Sequence, residues 1–149
     1  MFDETQYALL VKPLRQVYGA DLDGTYINIT DYNPLIESMG FTVMLKVDDD
    51  DYQGDSRVLL RHGDFWGILI FGWGSCSGCD RLQGCSSEEE IEELRKDLFN
   101  SIKWGTAAET LAYVREHDWE GDFCWHAEET REFVRQAEEM LAAVAAAHG

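Results

Sequence analysis

The stretch FTVMLKVDDDDYQGDSRVLLRHGDFWGILIFGW, residues 41–73, decides the fold. It contains three runs of β-type residues, FTVMLKV from Phe41, SRVLLRH from Ser56 and FWGILIFGW from Phe65. β-branched and aromatic side chains suit a pleated, half-buried surface, and the breaks between the runs are an acidic loop and the turn pair Gly63-Asp64. The runs therefore predict a three-stranded antiparallel meander. In the third run Trp66, Ile68, Ile70 and Gly72 alternate to one side, and Phe65, Leu69, Phe71 and Trp73 to the other. A strand apolar on both sides is a central strand with helices over both faces. Gly67 and Gly72 within it mark expected bulges.

Working outward, both flanks read as helical. Tyr7, Leu10, Val11, Leu14 and Tyr18 recur at helical spacing, with a defect expected at Pro13, which lacks an N–H. A loop follows, with a short strand expected at Tyr26 to Ile29, and NPLIESMG then predicts a short helix capped by Asn33 and stopped by Gly40. On the C-terminal side, SSEEEIEELRKDLFNSIKW predicts a helix with Ser86 or Ser87 as N-cap and Ile91, Leu94, Leu98 and Ile102 as its apolar stripe. Thr106 and Glu109 fit a capping box, and a last long helix is expected from about Ala127, with Phe133, Ala137, Met140, Leu141 and Val144 inward. The sum is one α+β domain of 149 residues, its meander packed against N-terminal and C-terminal helices.

Charge narrows the function classes. Asp and Glu number 29 against 12 Lys and Arg, a formal charge of −17. Such a field repels phosphates, so direct nucleic acid binding is disfavoured, whereas a basic protein surface is attracted and its encounter accelerated. Seven Phe, six Tyr and five Trp argue for a folded chain. The N-terminal MFDETQYALLVKPL carries acids where a secretory signal carries bases, and no apolar run is long enough to cross a bilayer, so a cytoplasmic protein is expected.

In a reducing compartment the four cysteines read as metal ligands, redox thiols or packed apolar groups. Cys76 and Cys79 form a C-x2-C knuckle, Cys85 follows in the same loop, and Cys124 and His126 stand two apart downstream. Zinc takes four such ligands in a tetrahedron, so a structural zinc site drawn from these five residues is one expectation. An enzyme using a metal or a reactive cysteine in the 76–85 loop is a second. A thiol redox protein is a third, although the next helix begins only near Ser87 and the proline-bearing strand of thioredoxin-like proteins is lacking. The acidic loop fails as a calcium-binding EF-hand. With Asp49 as its first ligand, the twelfth position falls on Leu60 instead of a bidentate Glu.

The remaining candidate is an interaction surface. Asp48, Asp49, Asp50, Asp51 and Asp55 in the hairpin loop, and Glu88, Glu89 and Glu92 on the following helix, supply carboxylates for a basic partner. Trp119 and Trp125, in the polar break HDWEGDFCWH, are candidate aromatic anchors. The resulting expectation is a non-enzymatic accessory protein that engages a basic groove, in its most specific form as a nucleic-acid-mimicking inhibitor.

The segment DYQGDSRVLLRHGDFWGILIFGWGSCSGCD, with NSIKW and HDWEG downstream and WGSCSGCD as its most distinctive part, resembles a group of small acidic proteins of unknown role from actinobacteria and their bacteriophages. The resemblance implies a bacterial host-cell setting and no particular activity.

Overall fold

A computed structural model describes residues 2–24 and 26–148. In chain order the elements are α1 (Glu4–Leu10), α2 (Leu14–Tyr18), α3 (Asn33–Glu37), β1 (Thr42–Asp48), β2 (Gly54–His62), β3 (Phe65–Trp73), α4 (Glu88–Ser101), β4 (Lys103–Thr106), α5 (Ala107–Glu116), α6 (Trp119–Asp122) and α7 (Ala127–His148), with short 3-10 turns at Gly19–Leu22 and Cys124–His126. The α+β class and the antiparallel meander are as expected, but the sheet has four strands in the order β1-β2-β3-β4.

The fourth strand corrects the helix expected through Trp104. α4 stops at Ser101 because Ile102 takes an extended backbone (φ −64°, ψ 128°), and the chain turns back to pair Lys103–Thr106 against Phe65–Ile68. Gly67 makes that pairing possible. A Cβ there would lie 2.7 Å from Ile102 Cγ2 and 2.8 Å from Trp104 Cε3, so the missing side chain is the space those two side chains fill. The bulges expected at Gly67 and Gly72 do not occur, since both pair in unbroken register; the shift lies in β1, between Val43 and Leu45. Tyr26 to Ile29 form no strand.

Local signals set the helix ends. Pro13 separates α1 from α2 as the residue before Leu14. Ser87 caps α4 by accepting the Glu90 N–H, and Thr106 with Glu109 closes a capping box on α5. Tyr32 precedes α3, and Asn33 does not cap it with its side chain; instead the Asn33 N–H donates to Asp31 Oδ1. Gly40, at φ +88°, ends this segment where a Cβ would collide with the Leu10 carbonyl.

Alternation along β2 and β3 then sorts the core onto two faces. Val58, Leu60, Leu69 and Phe71 pack under α1 to α4 with Leu35, Met39, Phe41, Ile91 and Phe99. Leu59, Trp66 and Ile68 pack on the other side with Leu111, Val114, Trp119, Phe133, Ala137 and Leu141 of α5 to α7. Each of the fully buried Leu or Phe side chains stabilises the fold by about 1.5–3 kcal/mol. Between helices and sheet, Arg95 of α4 donates to the Tyr7 hydroxyl (3.1 Å), the Lys12 carbonyl (2.6 Å), Ser38 Oγ (2.9 Å) and the Glu92 carboxylate (2.5 Å), tying the N-terminal helices to α4. Among the described residues no helix is long and apolar enough to cross a membrane.

Candidate functional site

β3 ends at Trp73 and delivers the chain into the cysteine loop, which is organised by a carboxylate. Asp80 is buried; its Oδ1 accepts from the Tyr32 hydroxyl (2.8 Å) and the Leu82 and Gln83 N–H groups (2.9 and 3.2 Å), and its Oδ2 from the Gly74 N–H (2.9 Å). Gln83 donates in turn to the Gly74 carbonyl at 2.7 Å. Four donors on one buried carboxylate fix both ends of the loop. Gly74 is needed because a Cβ there would meet Cys79 Sγ at 2.7 Å.

Of the five residues expected to hold zinc, the structure brings two together. Cys76 and Cys79 are exposed and their sulfurs lie 2.8 Å apart. Contact with the Cys76 side chain, then the Cys76 N–H, holds the Cys79 thiol below its ordinary value. Cys85 is buried, donates to the Arg81 carbonyl at 3.3 Å, and is pushed up first by burial and then by the Glu90 charge. Cys124 is exposed, and the backbone around it is a 3-10 turn instead of the extended segment that would aim Cys124 and His126 the same way. Among the described residues, no third Cys, His, Asp or Glu joins Cys76 and Cys79 with ligand atoms mutually within 4.8 Å; the three that meet this condition are Asp49, His126 and Glu129.

That second group lies where the β1–β2 hairpin meets the start of α7. Asp49 is not a surface acid but a buried one. Its N–H donates to the Asp55 carbonyl (3.0 Å), its Oδ2 accepts the Asp55 N–H (2.8 Å), and its Oδ1 is 2.9 Å from Arg57 Nη1. Arg57 is fully buried with its guanidinium 4.5 Å above the Phe123 ring. The contact with Asp49 is ionic, because its N–H direction is poor, and none of the Arg57 nitrogens has a hydrogen-bond acceptor among the described residues. His126 Nδ1 sits 2.9 Å from Glu129 Oε2, leaving Nε2 3.6 Å from Asp51 and 3.8 Å from Asp49. Burial, then the Asp49 charge, pushes the Asp55 carboxyl above its ordinary range. Partial burial would raise Glu129 too, but bonds from His126 and backbone N–H groups hold it below its ordinary value.

The hairpin, the cysteine loop and the segment before α7 enclose an open cleft of about 680 Å³, walled by Asp51, Gly54, Trp73, Cys79, Arg81, Trp125 and His126. Trp125 stands on it 90% exposed, whereas Trp119 is 5% exposed and its indole N–H donates to the Val114 carbonyl at 2.8 Å. Trp119 is therefore core, which corrects its place among the candidate anchors. Two expected partner-facing acids are likewise occupied: Asp49 by Arg57, and Glu92 by Arg95 and the Tyr7 hydroxyl. Asp48 pairs with Lys46 at 2.8 Å, and Glu88 lies 3.8 Å from Arg15. Asp50, Asp51 and Glu89 remain exposed. A second depression, about 450 Å³ between Trp66, Ala107 and Ala145, has Arg61 and Asp64 on its wall.

The sequence reading missed Asp80, Arg57 and Glu129. An arginine inside the otherwise apolar SRVLL was the available signal for Arg57; Asp80 meets Tyr32, and Glu129 meets the Asp50 N–H and Asp49, only through the fold. No family model, curated protein or solved structure matches the chain.

Proposed function

We propose that this is a small acidic binding protein whose cleft receives a basic segment of a partner protein. The observation that carries this reading is Trp125, a 90% exposed indole beside Asp51 and His126 on the cleft wall. An exposed aromatic face in a cleft that also carries the Asp51 carboxylate suits a Lys or Arg side chain. Cation–π attraction adds about 0.5–1 kcal/mol at an exposed site and about 2 when the pair is desolvated, and exposed tryptophans are frequent anchors of interfaces. Arg81, the arginine on the cleft wall, does not cancel this attraction, because it pairs with Asp97 at 2.7 Å. The charge of −17 supplies long-range steering. A partner groove that otherwise holds DNA or RNA would make the protein a nucleic-acid mimic, and competition by duplex DNA for that groove is the test of this narrower form.

The reading is tested by calorimetric titration with an arginine-rich peptide and a Gly/Ser peptide of equal length. The basic peptide is expected to bind, and its affinity to fall steeply with added salt. Trp125→Ala is expected to weaken it about tenfold, in keeping with a central anchor. Equal affinity for Trp125→Ala would mean that the peptide reads net charge alone, and the cleft would lose its assigned role.

A further inference from the structure

The Cys76–Cys79 pair has chemistry of its own, separate from peptide binding. The Cys79 N–H donates to the Cys76 carbonyl at 3.1 Å and closes a four-residue turn over Ser77 and Gly78. A turn of this kind keeps its end Cα atoms within about 7 Å, and a disulfide spans roughly 4.4–6.8 Å between Cα atoms. The backbone is thus already folded for a bridge.

The sulfur separation favours the redox reading, alongside the lack of a third ligand at the pair among the described residues. Two thiolates on one tetrahedral zinc, each at about 2.3 Å from the ion, are held about 3.8 Å apart. The observed separation is 2.8 Å, about an ångström too close for that edge and less than an ångström from a covalent bond of about 2.05 Å. Nor do the other two cysteines offer themselves as partners, since Cys85 is buried against the Arg81 carbonyl and Cys124 is on the segment before α7. Because Asp80 pins the backbone at Gly74, Leu82 and Gln83, the loop frame can stay in place while the sulfurs close.

We propose that Cys76 and Cys79 are a redox-active pair, converted reversibly between dithiol and disulfide by exchange with a small-molecule disulfide. One cysteine, as thiolate, attacks the co-substrate RS–SR; its S–S bond breaks, RS⁻ leaves and takes up a proton, and a mixed disulfide forms. The second cysteine gives up its proton and attacks the protein-side sulfur, expelling the other RS⁻, which is protonated to RSH. In sum, two protein thiols and RS–SR give one protein disulfide and two RSH. Cys79 is on the cleft wall, so the exchange takes place at an accessible surface.

Oxidised and reduced glutathione in graded ratios provide the test, with acid quench, alkylation and peptide mapping by mass spectrometry. The full chain is expected to lose two hydrogens in one reversible transition, with Cys76 joined to Cys79 and with Cys85 and Cys124 still alkylated after denaturation. Cys76→Ser and Cys79→Ser are each expected to stop at the glutathione mixed disulfide on the remaining cysteine. Three results would overturn the proposal: a wild-type protein that itself stops at the mixed disulfide, one that stays fully reduced at every ratio, or a native mass spectrum showing a chelator-removable zinc that protects both cysteines from alkylation.

Discussion

Arg95 and Arg57 are both buried, 3% and 0% exposed, on opposite faces of one sheet, and they are treated in opposite ways. Arg95 spends its donors on Tyr7, Lys12, Ser38 and Glu92, groups that belong to three separate segments of the chain. Arg57 has one ionic contact, to Asp49, and an aromatic ring for the rest. A saturated guanidinium is a clamp, and its region is architecture. An undersaturated one depends on a single carboxylate, and here that carboxylate also closes the hairpin whose tip forms the cleft. Stability around Arg57 is therefore concentrated in one pair, while around Arg95 it is spread over a network.

The largest loss is expected at Asp49. Asp49→Ala strands a buried cation and is expected to cost about 3–5 kcal/mol in urea unfolding. The double variant Asp49→Ala with Arg57→Met removes both charges and is expected to regain most of that loss. If the double variant is no better than the single one, Arg57 has acceptors other than Asp49. Arg95→Met should cost less, about 2–3 kcal/mol, because Glu92 is half-exposed and water can replace part of its bond. An Arg95 loss larger than that at Asp49 would reverse the ranking of the two regions.

Alkaline titration probes the clamp more finely. Burial first, then the bond to Glu92, pushes the Tyr7 phenol up to about 12. A raised phenol favours the protonated form in the fold, so its contribution is complete below the ordinary value near pH 10 and is lost as the pH climbs through about 12. Tyrosinate absorbance should show this late ionisation, and Tyr7→Phe should reduce its amplitude by one tyrosine, since burial also holds up the phenols of Tyr18, Tyr32 and Tyr113. The smallest expected effect on folding is at the cleft: Trp125→Ala should change stability by less than about 0.5 kcal/mol, since the side chain is nearly all in solvent.

How far the sequence could be read follows from the range of the interactions. The meander was legible because its alternation is local, and so were the caps at Ser87 and Thr106. β4 was not, because Ile102 continues the helical stripe of Ile91, Leu94 and Leu98 even though its backbone is extended. Trp119 and Trp125 sit in the same short polar break, HDWEGDFCWH, and the packing of α6 against α7 separates the buried one from the exposed one. The spacing of Cys124 and His126 implied a shared direction for an extended chain, an inference that a 3-10 turn voids. Asp80 was invisible as an anchor because its partner Tyr32 lies 48 residues away.

The cleft is tested most directly by the indole N–H resonances of the five tryptophans as the arginine-rich peptide is added. The Trp125 signal is expected to shift first and furthest, with backbone changes at Gly54 and Arg81, while the buried Trp66 and Trp119 hold still. Shifts gathered instead on the acidic face of α4, with Trp125 unmoved, would contradict the cleft's assigned role.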